Sequence, residues 1–145
     1  MLFTPHTLIG GAIGAEVNNV PLAFVLGFIS HFILDFIPHF DTTDNGKFTL
    51  RQNLIIGIDL LLGGYLLLHY WSSLDYSPAF FFGALGAITP DLLDIVPFWN
   101  KSFRKTKFGL FFHNYHERIQ KVKVGPVLGI LTQLVVLLIA LFMLK

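Results

Sequence analysis

The sequence predicts an all-α integral membrane protein that forms a single domain over residues 1–145. Apolar residue types make up 54% of the chain. Charged types make up only 13%, well below the roughly 25% of a soluble domain. Four apolar segments have the length of about 20 residues that a helix needs to cross a bilayer. Nine of the ten Lys and Arg residues lie in two of the loops that connect these segments.

The four predicted transmembrane helices are residues 21–40, 53–71, 78–97 and 125–144. A shorter apolar stretch, residues 5–17, precedes them and would cover only about 20 Å as a helix. We therefore expect a short N-terminal helix that is a partial span or re-entrant. Its Gly10 and Gly14 form a small-residue face, which predicts close packing against another helix.

The loops predict an orientation. Residues 41–52 and 98–124 hold the nine cations and lie on the same side of a four-span protein, whereas residues 72–77 contain none. The positive-inside rule then places both cationic loops in the cytoplasm, and the chain in the inner or plasma membrane. The net charge of +1 gives no indication of a nucleic-acid partner. The absence of cysteine excludes disulfides and thiolate metal ligands.

Ionisable residues inside the predicted spans are costly, and they are clustered in the sequence. His31, Asp35 and His39 recur at i, i+4 and i+8, which places them within about 80° of one another on one helix face. Asp41 extends this polar stripe into the following loop. The predicted topology brings further His and carboxylate groups to the same cytoplasmic level: His6, Asp91, Asp94, His113, His116 and Glu117.

Neutral imidazole and carboxylate together form the ligand set of Zn²⁺ and related divalent metals. We therefore predict a centre of one to three divalent ions, with zinc the best match to these ligands. Such a centre can activate water and hold the oxygens of a phosphoester during in-line attack. The candidate metal ligands are His6, His31, Asp35, His39, Asp91, His113, His116 and Glu117, and the candidate acid–base residues are Asp94 and Glu117.

Structural roles are the alternatives for several of these residues. His39 would then end a span at the membrane interface. Asp94 would form an ion pair with a loop cation instead of binding the metal. Asp59, which has no His within one helical turn, is expected to have a structural or supporting role.

Several motifs resemble a known family. The pattern His31-x-x-x-Asp35 with a nearby Pro-His pair at His39, and a later His113-x-x-x-Glu117, resembles the superfamily of zinc-dependent phospholipase C and single-strand zinc nucleases. Its membrane branch, the YdjM-like metal-dependent hydrolases, is similar in Ser-His-x-x-x-Asp (residues 30–35), Pro-Asp-x-x-Asp (90–94) and His-Thr-x-x-Gly (6–10). The resemblance implies a helical, metal-centred site that hydrolyses a phosphoester of a membrane lipid or lipid-linked substrate. It also implies that His31, Asp35, Asp91 and the His113 group are ligands.

Two other function classes remain open from the sequence. Intramembrane Asp and His also build ion pathways, so the chain could be a metal-binding or metal-transport protein without hydrolase activity. A carrier should expose polar residues at both membrane faces, whereas these residues crowd towards one face. A b-type haem protein would also use pairs of His across helices, but the abundant carboxylates do not favour it.

Overall fold

A computed structural model describes residues 1–40, 49–96, 98–119 and 124–145. Asp41 lies outside these described residues. Throughout the described part, the chain forms helices and no strand, so the predicted all-α class is confirmed. The helices are α1 (Phe3–Val17), α2 (Val20–Phe36), α3 (Leu50–Ser73), α4 (Pro78–Asp94), α5 (Asn100–Phe103), α6 (Lys107–Ile119) and α7 (Pro126–Met143).

The short N-terminal helix α1 is the centre of the bundle. It packs against α2, α3, α4 and α7, and its Leu8 and Ala12 are completely buried. These two side chains form a core with Phe80 of α4 and Ala140 of α7. The apolar stretch predicted as a partial or re-entrant helix is therefore the element around which the longer helices assemble.

Small residues allow α1 and α2 to approach α4 closely. A Cβ atom added at Gly10 would lie 2.5 Å from both the Cβ of Ala87 and the carbonyl oxygen of Gly83, well inside van der Waals contact. Added Cβ atoms at Gly14 and Gly27 would likewise collide with the α4 backbone. The predicted close approach at the small-residue face is thus confirmed, and it brings the polar residues of these helices together.

Polar side chains from two apolar helices hold the start of α1. The backbone N–H groups of Phe3 and Thr4 donate to the Asp59 carboxylate at 2.6 and 3.3 Å. The Leu2 N–H donates to Gln133 Oε1 at 2.9 Å. The first N–H groups of a helix have no partner within the helix, and a carboxylate also interacts favourably with the positive end of the helix dipole. Asp59 therefore has a structural role, which fixes the position of α1.

Two of the four predicted spans are long and apolar enough to cross a membrane within the described residues. These are α3, with a mean hydropathy of 1.6, and α7, with 2.5. The helices α2 and α4 have 17 residues each, which corresponds to about 25 Å. Both helices end before the predicted boundaries. A proline follows each of them in the sequence, Pro38 after α2 and Pro97 after α4, and helical backbone is disfavoured for the residue that precedes a proline.

Candidate metal centre

Three helices bring four potential metal ligands to one point. His31 and Asp35 come from α2, Asp91 from α4 and His116 from α6. One ligand atom from each residue lies within 4.8 Å of all the others. We call these residues the four-ligand cluster. Two of them lie at i and i+4 on α2, so a single helix turn presents both towards the same point.

The spacing within the four-ligand cluster suits a tetrahedral metal ion. The Nε2 atoms of His31 and His116 are 3.0 Å apart, and each is 3.2 Å from Asp35 Oδ2. Each is also 3.6 Å from Asp91 Oδ1. Tetrahedral zinc with Zn–N distances of about 2.0–2.1 Å separates its ligand atoms by about 3.3 Å. These five separations lie on both sides of this value, and the sixth, between the ligand oxygens of Asp35 and Asp91, is within 4.8 Å.

Hydrogen bonds behind the imidazole rings determine which nitrogen faces the cluster. His31 Nδ1 lies 2.7 Å from the carbonyl oxygen of Ala87, which can only accept, so Nδ1 carries the proton. The Nε2 lone pair of His31 then points into the cluster. His116 Nδ1 lies 3.4 Å from Asp94 Oδ2 on its outer side. Metal-binding histidines typically have such a partner on the second nitrogen.

The two carboxylates of the four-ligand cluster give it a negative charge that favours a bound cation. Burial lowers the pKa of His116, but its hydrogen bond to Asp35, its contact with the Asp94 carboxylate and the charge of Asp91 outweigh burial and raise this pKa to about 9. Asp91 Oδ1 is buried and has no hydrogen-bond partner among the described residues. A buried carboxylate oxygen without a partner is costly, and a cation placed between it and the two imidazole nitrogens removes that cost. Without metal, the cluster retains a proton on His116.

Access to the four-ligand cluster is from the side of Asp91. Its side chain is 27% exposed, whereas those of His31 and Asp35 are 0% exposed and that of His116 is 3% exposed. A ligand from outside would therefore reach the cluster beside Asp91. The remaining ligand atoms are shielded from water, which strengthens their interaction with a bound cation.

Two other predicted ligands, His6 and His39, lie against the second oxygen of Asp35. His6 Nε2 is 3.1 Å from Asp35 Oδ1, and His39 Nε2 is 3.9 Å from it. The His6 ring also stacks on the His31 ring, with centroids 4.1 Å apart. The amino nitrogen of Met1 contacts the same Asp35 oxygen. Both histidines thus adjoin the four-ligand cluster without belonging to it.

The remaining predicted residues form a neighbouring ionic group. Asp94 Oδ1 lies 2.9 Å from His113 Nδ1, and it accepts a hydrogen bond from Arg104 Nε at 3.0 Å. His113 Nε2 lies 3.5 Å from Glu117 Oε1, and Glu117 is largely exposed. The structure therefore pairs Asp94 with a loop cation, which was the alternative considered for it. It places His113 and Glu117 outside the four-ligand cluster.

Sequence reasoning missed several contributors to this site. Arg104 was one of many loop cations, and no signal distinguished it from its neighbours. The carbonyl of Ala87 carries no signal in the sequence at all. Gln133 was detectable, because a lone amide in an otherwise apolar span needs hydrogen-bond partners.

No protein-family model, curated protein or solved structure matches the chain.

Proposed function

We propose that this chain is a membrane-embedded, metal-dependent hydrolase of phosphoesters. The observation that carries the proposal is the four-ligand cluster: two imidazoles and two carboxylates close enough to share one ion, with a buried Asp91 oxygen that has no hydrogen bond among the described residues. His31, Asp35, Asp91 and His116 would hold a divalent ion, and zinc suits this donor set best. Such an ion supplies Lewis-acid activation of water and of a phosphoryl oxygen.

We infer that the neighbouring ionic group, formed by Asp94, Arg104, His113 and Glu117, would transfer protons during the hydrolysis. His113 lies between Asp94 and Glu117, 2.9 Å from one carboxylate and 3.5 Å from the other. Its ring is 15% exposed, so it connects the buried Asp94 to the exposed Glu117. This arrangement supports the predicted acid–base roles of Asp94 and Glu117, because a proton can pass along the histidine between them.

Lipid is the substrate class that the surroundings favour. An apolar groove of about 530 Å³ lies beside the cluster, lined by Phe28, Ile29, Phe32, Ile33, Phe36, Tyr115 and Ile119. The Phe32 ring contacts the rings of both His31 and His116, with centroids 5.4 and 5.8 Å apart. We infer that this groove takes an acyl chain of a phospholipid or lipid-linked phosphate. The resemblance to YdjM-like hydrolases agrees with that substrate.

The proposal includes a membrane arrangement. We infer that α2 and α4 cross the bilayer with α3 and α7, which gives four spans around α1. The exposed apolar side chains of α2, such as Ile33 at 62% and Phe36 at 73%, support contact with lipid. The exposed Lys101, Lys105 and Lys107 would then lie in the cytoplasm near anionic headgroups. The cluster would act at that face.

The proposal is tested by metal content and turnover together. Protein purified in detergent is assayed for bound metal and for hydrolysis of a short-chain phospholipid and of bis(p-nitrophenyl) phosphate. We expect bound zinc and turnover in the wild type, and loss of both in Asp91→Asn and His116→Ala. His69→Ala is the matched control, because His69 is exposed on α3 and far from the cluster in sequence.

The outcomes separate the function classes. Wild-type protein that binds no transition metal would overturn the proposal. Bound metal without any phosphoester turnover, together with metal flux into proteoliposomes, would instead establish a transport protein. A Soret band in the purified protein would establish a haem protein.

A further inference from the structure

The helix α6 presents a row of exposed aromatic side chains beside its buried face. The buried face packs on the bundle and carries His116. Phe108, Phe111 and Tyr115 lie on an adjacent face, within about 60° of one another around the helix axis, and are 66%, 67% and 50% exposed. We call these three residues the aromatic stripe. A continuous apolar surface of this kind marks a site of contact with another apolar phase.

The length and composition of α6 exclude a transmembrane position for it. Its 13 residues correspond to about 20 Å, less than the roughly 30 Å of a hydrocarbon core. It also contains Lys107, Glu117 and Arg118, which would be costly inside the bilayer. A short helix with one apolar face and several charges is instead typical of helices that lie in the plane of a membrane surface.

Two exposed cations border the aromatic stripe along a single edge. Lys107 and Arg118 are eleven positions apart, which places them within about 20° of each other around the helix axis. Both lie next to Phe111 on the side away from the bundle. Among the described residues, neither cation has an acidic partner. A ligand that contacts the stripe and this edge together should therefore be apolar in one part and anionic in the next.

A depression of about 460 Å³ lies at this edge, lined by Phe111, Asn114, Tyr115, Glu117 and Arg118. Arg118 and Asn114 supply hydrogen-bond donors for an anionic oxygen. The one carboxylate in the lining, that of Glu117, lies 3.5 Å from His113 Nε2. The depression thus joins aromatic surface to donor groups, as the boundary between lipid chains and headgroups requires.

The aromatic stripe also continues the outer apolar surface of α2. The rings of Tyr115 and Phe32 have centroids 6.0 Å apart, and Tyr115 lines the apolar groove on α2. Phe36, the last residue of α2, borders the same groove and is 73% exposed. The helix α6 therefore meets α2 near the end of α2, where a spanning helix leaves the bilayer.

We propose that α6 is an interfacial helix that binds the anionic lipid surface of the bilayer. The aromatic stripe inserts among the lipid chains, and Lys107 and Arg118 contact the headgroups. The inference rests on the membrane arrangement of the proposed function, although not on its metal or its hydrolysis. Because His116 lies on the bundle-facing side of the same helix, binding of α6 to the surface places the four-ligand cluster beside the lipid headgroups.

The experiment is spin labelling of the full chain in nanodiscs of phosphatidylcholine and phosphatidylglycerol. The chain has no native cysteine, so Phe111→Cys and Leu110→Cys each carry one nitroxide label. Leu110 is the matched control, because it is also apolar and 50% exposed but lies about 100° away from Phe111 around the axis. We expect the label at position 111 to be more accessible to O₂, and that at 110 to the water-soluble nickel complex NiEDDA. Tyr115→Cys should behave like Phe111→Cys.

The contribution of the cations is measured in Phe111→Cys combined with Lys107→Gln and Arg118→Gln. Each cation near an anionic surface contributes a factor of about 5, so the two together contribute about 30-fold. The ratio of inserted to water-exposed label should fall by about this factor. The same fall is expected for Phe111→Cys in nanodiscs of phosphatidylcholine alone. An unchanged ratio in both experiments would overturn the binding of anionic lipid.

Three other results would also overturn the interfacial helix. Labels at 110 and 111 that are both accessible to NiEDDA would show that α6 lies in water. Labels that are both accessible to O₂ would show that it is embedded. A label at 111 that is protected from both reagents and broadened by a second label would show that another copy of the chain covers the stripe. Because no arm depends on metal or turnover, each of these results leaves the proposed hydrolysis to its own test.

Discussion

Replacing Asp94 with Asn should weaken metal binding even though Asp94 is outside the four-ligand cluster. Asp94 Oδ2 lies 3.4 Å from His116 Nδ1, on the side of the ring opposite the cluster. The same carboxylate also contacts His113 and Arg104. Asn keeps the shape of the side chain but removes its charge. The ring of His116 would then be a weaker donor of electrons to the metal and would be less firmly oriented.

The size of the expected loss in metal affinity depends on the burial of His116. Loss of a partner behind a metal-binding histidine typically reduces metal affinity by about 10–100-fold, which corresponds to about 1.4–2.7 kcal/mol. Water often replaces such a partner in an exposed site. The His116 residue is only 2% exposed, so water has little access to its Nδ1 atom. We therefore expect a loss towards the upper end of that range.

The assay is a competition titration of zinc between the protein and a chromophoric chelator. Asp75→Asn is the matched control, because Asp75 is exposed in the connection between α3 and α4 and makes no contact with this site. Unchanged zinc affinity in Asp94→Asn would refute the reasoning. If turnover is lost while zinc affinity is unchanged, Asp94 has a role in proton transfer and none in metal binding.

Three further predictions concern stability. The pKa of His116 is raised from the ordinary 6.5 to about 9. Below pH 6.5 this shift stabilises the metal-free protein by about 3 kcal/mol, and the stabilisation is lost as pH rises through 9. Melting temperatures should therefore fall over that interval, and bound zinc should abolish the effect. Gly10→Ala should cost about 1–3 kcal/mol because its Cβ meets α4, whereas Gly64→Ala, with open space around it, should not destabilise; equal melting temperatures would contradict this packing. Asp59→Asn should cost about 0.5–2 kcal/mol by weakening the cap of α1, and an unchanged melting temperature would exclude that role.

The helices were largely predictable because apolar segments in this chain coincide with helices. The ends of the helices were less predictable. The helix α2 ends before Pro38 because the residue before a proline disfavours helical backbone, and hydropathy does not measure this effect. The helices α5 and α6 lie in residues 98–124, which the charge pattern predicts as a cationic loop, with only His113 and Glu117 at helical i, i+4 spacing. The central position of α1 depends on packing with four other helices, and no property of its own short sequence specifies that arrangement.

The composition of the site was predictable, but the choice among neighbouring residues was not. Asp91 and Asp94 lie at i and i+3 on one helix, as do His113 and His116. Residues three apart share a helix face, so spacing alone cannot assign one member of each pair to the metal. The packing of α6 beside α4 decides it, because it directs Nε2 of His116 towards Asp91, whereas Nδ1 of His116 and Nδ1 of His113 both face Asp94.

The carboxylates within the apolar helices divide into two tasks that depend on each other. Asp59 binds the first N–H groups of α1, whereas Asp35 faces the imidazoles. His6 lies one helical turn after Phe3, the residue held by Asp59, so the cap on α1 also sets where His6 meets Asp35 Oδ1. A change at Asp59 should therefore affect the candidate metal centre through the position of α1, without any contact between Asp59 and a candidate ligand. The cost of burying Asp59 is offset by the hydrogen bonds that its carboxylate accepts from the N–H groups of Phe3 and Thr4.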